Sequence, residues 1–441
     1  MQFMVSQQST HAPGILIAHG FAGSKQLMLG YAYTLAHNGY GVLLWDQLGH
    51  GGNAQRFNHN LLQKGVEAAL STLKQQPEIN PQHLAILGHS MGSGVAMKAG
   101  IQQPRDFDAV VAISPTDAPV SPELPRNLSL QAGEGEPRFV DNATRLLKQA
   151  GGVNPNVAQG KGRSLSIIPG VEHITILFND ASHQSALKWL NETFGKHETN
   201  PYRDRRMGWY GLQLLGWLIV IGTIIPHLRK KANPLPPMPR PQRAVFGLVL
   251  SPIAAASVLK GMSLSSDVGN LGGLLVGGAL GFWFFIAGLA WLAMIAKLPK
   301  PRLSELGLGL ASFALMWIGL GGAAQVVWLP WILNTQRLAL WLPIAIACLP
   351  WFLATGMVQQ NVKLLTRLGW WFGQSAAIVI GLILTILLVP SLSFMVILLP
   401  VFPLLFGLFS FLCAKLESPW AFALGSAPIL SWLIVTLFPL I

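Results

Sequence analysis

"LAILGHSMGSG" (residues 84–94) runs from apolar residues straight into a turn made of glycine and serine. Its middle, Gly88-His89-Ser90-Met91-Gly92, has the form G-x-S-x-G, the pattern of a serine held on a sharp turn between a strand and a helix. Such a turn strains the serine backbone. It also brings strand end and helix start so close to their neighbours that side chains at 88 and 92 would collide. A five-residue match arises easily by chance, so the flanking chain must decide whether Ser90 is a nucleophile or only a small residue in a tight turn.

The flanking chain alternates. "GILIAH" (14–19), "GVLLWD" (41–46), "LAILGH" (84–89), "AVVAIS" (109–114), "LSLQAG" (128–133) and "SLSIIPG" (164–170) are short, nearly continuous apolar runs. Runs of that kind fit strands covered on both faces. Helical patterns at 25–37, at 60–76, between the last two strands and at 183–194 separate them. At 60–76, Leu61, Val66, Ala69, Leu70 and Leu73 share one face. Strand and helix in alternation predict a mostly parallel sheet with right-handed crossovers.

With that context, residues 12–195 resemble the α/β-hydrolase superfamily, in particular its esterase, lipase and serine-aminopeptidase-like branch. Besides the serine turn, the resemblance rests on "HGFAGS" (19–24), "DQLGHG" (46–51) and "PGVEHI" (169–174), in the family's order and spacing. It implies an oxyanion loop at 19–24 and a base-bearing loop at 169–174. It also implies two strands before the first motif, which the chain lacks because it begins almost at that motif. A missing upstream segment with a signal anchor would account for this. Only residues 117–126 lie where relatives often insert a cap, so no cap domain is expected.

A serine hydroxyl needs a base to take its proton, and the base needs an acid to orient it. His173 is the candidate base. The resemblance places the acid after the strand 128–133, where Glu136, three residues after Gly133, is the candidate, with Glu134 the near alternative and Asp117 more remote. The resemblance assigns the oxyanion hole to the backbone N–H groups of Phe21 and Met91, and the elbow glycines are Gly88 and Gly92. His89 is expected to pack or to make a supporting contact, His50 to bond backbone in its turn, and His183 to sit on the surface at a helix start. No metal or organic cofactor is implied.

The rest of the chain is of another kind. Residues 1–207 hold 17 basic and 15 acidic side chains, whereas 208–441 hold 13 and 3, so the formal +12 is mostly a loop property of the second part. The first part is near-neutral and shows no basic face, which argues against a nucleic-acid partner. A bilayer core of ~30 Å takes about 20 apolar helical residues. Apolar runs of that order lie near 208–227, 244–262, 271–296, 305–333, 338–357, 370–389, 392–413 and 419–440. The expected division is therefore a hydrolase domain at 1–200 and a multi-pass transmembrane domain of about eight helices at 201–441.

Mid-span the runs carry no ionisable side chain, only polar ones such as Gln325, Gln374 and Ser375, which disfavours ion-coupled transport. Gly273, Gly277 and Gly281 form a close-packing stripe. Cys348 and Cys413 read as small buried residues rather than a disulfide. Residues 228–243 read as a basic, proline-rich extended loop. The loops at 228–243, 297–303, 358–369 and 415 carry 5, 3, 2 and 1 basic residues, against 0, 1 and 0 at 263–269, 334–337 and 390–391. The positive-inside rule makes the first set cytoplasmic and the hydrolase domain extracytoplasmic. Lys196, Arg203, Arg205 and Arg206 before the first span, and an N-terminus unlike an export signal, pull the other way.

The sequence thus describes a serine hydrolase integrated in the cell membrane. It would cleave an ester, thioester or amide of a small or lipid-like acyl substrate through an acyl-enzyme, with membrane lipids as its surroundings. An inactive hydrolase-like sensor or assembly protein and an acyltransferase are the alternatives.

Overall fold

The computed structural model describes residues 1–6, 11–196, 200–228, 239–295 and 298–441. They divide into two compact units: residues 1–210 with 324–332, and residues 211–323 with 333–441.

The first unit is built on a seven-stranded sheet. Its strands are β1 (Gln2–Met4), β2 (Ala12–Ala18), β3 (Gly41–Trp45), β4 (Ile79–His89), β5 (Ala109–Ile113), β6 (Leu128–Gly133) and β7 (Arg163–Ile168), in the order β1-β3-β2-β4-β5-β6-β7. All neighbours are parallel except β1, which runs antiparallel along the edge of β3, with Phe3 opposite Leu43. The chain does place a strand ahead of the first motif. At three residues it is too short to show a period of two in the sequence.

Five helices cover the sheet: α1 (Leu29–His37), α2 (Leu62–Lys74), α3 (Met91–Gln102), α4 (Pro137–Gln149) and α5 (Asp180–Phe194). Successive strand residues point to opposite faces, so each apolar run feeds two cores. Leu16, Leu43 and Ile86 pack with Val66 of α2, Val95 of α3 and Leu146 of α4. Their neighbours Ile17, Leu44 and Leu87 pack with Leu35 of α1 and Leu187 of α5. This double burial is why the runs are continuous rather than alternating. On α2, Leu62 takes the buried place expected of Leu61, which is exposed. The α-helix starts two residues later than the pattern suggested, after a 3₁₀ turn at His59–Leu61, which rotates Leu61 off the apolar stripe. Between β5 and β6 the chain forms no helix, so no cap stands there.

Beyond α5 the chain stays on this unit. Lys196 donates to the carbonyls of Asn38 and Gly39, Tyr202 stacks on His37 at 4.0 Å, and the Arg206 guanidinium lies 4.0 Å from the centre of the Tyr33 ring. The stretch 200–206 is therefore held along α1.

The second unit is helical. The long helices are α6 (Arg206–Leu228), α7 (Pro241–Ser263), α8 (Gly277–Ile295), α9 (Leu303–Val327), α10 (Thr335–Gln359), α11 (Leu364–Leu388), α12 (Val401–Leu416) and α13 (Pro419–Leu437). Among the described residues, seven of them, all but α12, are long and apolar enough to cross a membrane. The run expected as a span at 392–413 is broken. A 3₁₀ segment, Pro390–Leu398, meets α12 at a bend of 57°. Pro400 stands at the break, where it lacks the N–H needed to carry a helical ladder through. The expected loop at 228–243 lies mostly outside the described residues, which resume at 239.

Small residues let the helices of this unit touch. A Cβ on Gly288 of α8 would lie 2.3 Å from the Trp351 nitrogen of α10, and one on Gly281 would lie 3.0 Å from Ile344. Gly277 faces Phe438 in the same way, whereas Gly273 precedes the helix at φ +78° and is not part of the stripe. The rings of Trp283, Trp291 and Trp351 fill the space beside these contacts, and Cys348 and Cys413 are both buried. Arg337 departs from expectation. Instead of lying in a loop it sits in the first turn of α10, 1% exposed, and donates to the carbonyls of Val435 and Phe438. The last carbonyls of a helix have no donor within it, so this guanidinium closes the end of α13. Arg337→Leu would leave those carbonyls unpaired in apolar surroundings, a loss of roughly 2–4 kcal/mol. The detergent-purified variant should melt several degrees lower; an unchanged melting curve would show that α13 does not depend on the contact.

Candidate active site

Ser90 follows the last residue of β4 and caps α3, with φ 53° and ψ −120°. This conformation is rare for any residue with a Cβ and costs on the order of 1–3 kcal/mol. The surroundings hold it. The Ser90 N–H donates to the Ile113 carbonyl at 2.9 Å, and its own carbonyl accepts from the Ser93 N–H at 2.9 Å. A Cβ on Gly88 would stand 2.0 Å from the Gly92 oxygen, and one on Gly92 would stand 2.3 Å from the Ala18 oxygen. Both contacts are with backbone, so neither can relax by turning a side chain. The two glycines are thus required by the path of the chain.

Two further loops converge on the serine hydroxyl. The His173 Nε2 lies 3.1 Å from the Ser90 Oγ, and its Nδ1 lies 2.8 Å from the Glu136 Oε2. Because a carboxylate oxygen only accepts, Nδ1 carries the proton and Nε2 is left to accept from the hydroxyl. Glu136 is 6% exposed and also accepts from the Ser114 hydroxyl at 2.7 Å and the Gly133 N–H at 2.6 Å. Three donors on one buried carboxylate fix its direction. Glu134, two residues earlier, is exposed and accepts from the Gly170 N–H at 3.0 Å. Asp117 pairs with Arg145 on the surface. Neither meets His173.

The His173 loop is itself tied down. The Glu172 carboxylate accepts from the N–H groups of Ile174 and Thr175 at 3.0 and 2.8 Å. The ring of Phe139, in the first turn of α4, stacks on His173 at 4.3 Å. His89 donates its Nε2–H to the His173 carbonyl at 2.9 Å, with ring centres 4.7 Å apart. Burial, and then the neighbouring His173, hold the His89 imidazole well below its usual pKa, so it stays neutral. Ser114 and Phe139 carry no motif that would have marked them in the sequence; Ser114 is visible there only as the polar end of "AVVAIS".

The loop after β2 passes on the other side of the serine. A Cβ on Gly20 would lie 3.1 Å from that of Ser90, and Phe21 follows directly. His19 secures this loop by donating from Nδ1 to the Gly20 carbonyl at 2.7 Å and accepting the Gln47 N–H on Nε2 at 2.9 Å. Burial lowers its pKa, which keeps that acceptor nitrogen available. In the next loop Asp46 receives the N–H groups of Lys25 and Gly52 and the Lys25 ammonium. Burial alone would raise the Asp46 pKa, but Lys25 and the nearby His19 outweigh it, and the net shift is downward. His50 donates from Nδ1 to the Leu48 carbonyl at 2.8 Å, and its ring meets those of Phe21 and Phe57 at 5.6 and 5.3 Å. Met91 opens α3, and its N–H has no carbonyl one turn earlier within that helix to bond.

His183 is not the surface residue its place near the start of α5 suggested. It is 1% exposed and bonds the Leu177 carbonyl at 2.9 Å, in a hole left by Gly30, where a Cβ would lie 2.5 Å from its ring. The missing side chain on α1 explains the burial. Among the described residues, no group of three or more His, Cys, Asp or Glu side chains could hold a metal ion.

Residues 10–140 match the family model described as Serine aminopeptidase, S33. Two uncharacterised proteins of Mycobacterium tuberculosis, from strains CDC 1551 and H37Rv, are 34% identical over 92 residues, which is 21% of this chain and 33% of theirs. The chain thus spans about a third of the length of these curated relatives. Among solved structures it is similar to a soluble variant of monoglyceride lipase from Saccharomyces cerevisiae. That likeness has 14% identity and a TM-score of 0.34, over 44% of this chain and 91% of the other. It is also similar to MenH from Staphylococcus aureus, with 13% identity and a TM-score of 0.34, over 44% and 98%. The first unit carries the α/β-hydrolase fold of the serine-hydrolase type, and helices fitting a membrane domain follow it.

The strain at Ser90 gives a direct measurement. Ser90→Gly removes the Cβ that makes φ 53° costly, whereas Ser90→Ala keeps it. The glycine variant should be the more stable of the two by about 1 kcal/mol, after allowing for the greater chain entropy of glycine when unfolded. Equal unfolding midpoints would mean that the elbow stores no strain.

Proposed function

We propose that the chain is a membrane-integrated serine hydrolase that works through an acyl-enzyme. The observation that carries this reading is the line of contacts from Glu136 through His173 to the Ser90 hydroxyl, at 2.8 and 3.1 Å. Ser90 Oγ attacks the carbonyl carbon of an ester, thioester or amide while His173 Nε2 takes its proton. Glu136 keeps the imidazole in the tautomer that can accept and offsets the charge it gains. The oxygen of the tetrahedral intermediate is met by the backbone N–H groups of Phe21, on the loop after β2, and Met91, at the start of α3. His173 then returns the proton to the leaving group as that bond breaks, and water admitted to the site repeats the sequence to release the acid.

The substrate is lipid-like. Support comes from the half-buried rings of Phe21 and Phe57, 5.6 Å apart, and of Phe139 on His173, with Met91 next to Ser90, and from the apolar helices that share the chain. The hydrolase unit faces the extracytoplasmic side. The basic loops alternate with loops whose one cation, Arg337, is used inside the bundle on the end of α13.

Two measurements test these statements. Ser90→Ala and His173→Ala should each abolish turnover of an acyl ester, and Ser90→Ala should abolish labelling by a fluorophosphonate, because triad members act as a unit. Glu136→Gln should lower turnover steeply and Glu134→Gln only slightly. Full labelling of Ser90→Ala, or the opposite ranking of the glutamates, contradicts the assignment. For the side of the membrane, Cys348 and Cys413 are buried, so Ala68→Cys on the exposed face of α2 provides a single reactive thiol. In intact cells it should react with a membrane-impermeant maleimide. Reaction only after the cells are broken would place the unit in the cytoplasm.

A further inference from the structure

The second unit has a groove of about 590 Å³ between α7 and α11. The two helices touch where Gly381 meets Pro252, since a Cβ there would lie 2.4 Å from the proline ring. They separate toward their N-termini. Leu248 reaches Gly373 only at 3.4 Å, and among the described residues nothing lies within 4 Å of where Gly369 would carry a side chain. The walls are apolar, from Val245 and Leu248 on one helix to Trp370 on the other. The volume falls in the range of ~300–1,000 Å³ typical of small-molecule sites. Val245 and its outward neighbours Val249, Ile253 and Ile380 are exposed, so the groove opens on a surface of apolar side chains.

Its open end is electropositive. α7 and α11 both begin there, at Arg240 and Lys363, and neither cap residue bonds the first-turn N–H groups with its own side chain. Both side chains are exposed, and neither helix contains an Asp or Glu. Two helix N-termini with Arg240 and Lys363 therefore stand at this end of the groove, and Arg243 and Arg367 lie in the first turns of the same helices.

We infer that the α7–α11 groove binds an anionic phospholipid, with an acyl chain along Gly369 and Gly373 and the phosphate at Arg240, Lys363 and the two helix starts. A second copy of the chain suits the groove less well. Two copies sharing a membrane orientation and related by a two-fold axis along the bilayer normal would face Arg240 and Lys363 with the same cations at the same depth. A phosphate neutralises those charges, whereas a twin adds to them.

The test uses the full-length protein, passed through nanodiscs of phosphatidylglycerol and phosphatidylcholine in equal parts and re-extracted into mild detergent. Native mass spectrometry then counts the retained lipid. The wild type should keep phosphatidylglycerol in preference to phosphatidylcholine. Lys363→Gln, an exposed change that leaves the fold alone, should weaken that preference about fivefold, the effect of one basic residue at a membrane surface. Gly373→Phe fills the groove and should lose both lipids, whereas Leu404→Phe, at an exposed site on α12, should lose neither. Equal retention of the two lipids by the wild type, or unchanged retention in both Lys363→Gln and Gly373→Phe, overturns the inference. So does a wild-type dimer that Gly373→Phe converts to monomer without changing the lipid count, since a second copy would then occupy the groove.

Discussion

The hydrolase unit depends on one close approach of backbone to backbone. The start of α3 is pressed against the ends of β2 and β4 so tightly that any side chain at 88 or 92 would overlap main-chain atoms. That approach sets the angle at which α3 leaves the sheet and lifts Ser90 out of the strand. Its hydroxyl then stands at the carboxyl edge of the parallel strands, where loops from separate crossovers can meet it. Lost contact here would spread, because α3 shares a core with α2, α4 and one face of the sheet.

The groups that meet the hydroxyl come from loops far apart in sequence, each fixed locally before it reaches the site. Glu136 is held by the N–H of Gly133, three residues back, and by Ser114 from the end of β5. The His173 loop is folded on the Glu172 carboxylate and pinned from beneath by His89. The loop before α1 is locked by His19, and the one after β3 by Asp46. For the proposed reaction little ordering would therefore remain to be done, which is the condition under which oriented groups act most strongly.

Much of this was legible in the sequence, for a physical reason. Gly88, Gly92 and the continuous apolar runs answer constraints that act on single residues, and such constraints leave marks at fixed positions. The choice between Glu134 and Glu136 did not, because both lie in one turn and only the three-dimensional path decides which faces inward. His183 was misjudged because the hole it fills is made by Gly30, more than 150 positions away. β1 was too short for its pattern to show, and the break before α12 was masked by an apolar run that Pro400 interrupts without changing its hydropathy. Arg337 looked like a loop cation because its partners, the carbonyls closing α13, are backbone atoms that no side-chain pattern announces.

Three imidazoles crowd the site, yet the surroundings give them unequal freedom. His19 and His89 are buried with their pKa values pushed down, each tied to backbone, while His173 alone faces a hydroxyl. In the proposed reaction, the arrangement matters for the moment when His173 would hold a second proton. A charged ring at the position of His89, 4.7 Å away, would oppose it by about 3–4 kcal/mol at an effective dielectric constant of ~20. A repulsion of that size would slow the proton-transfer step several hundredfold. Keeping its neighbours uncharged thus clears an electrostatic space in which one imidazolium can form without a rival.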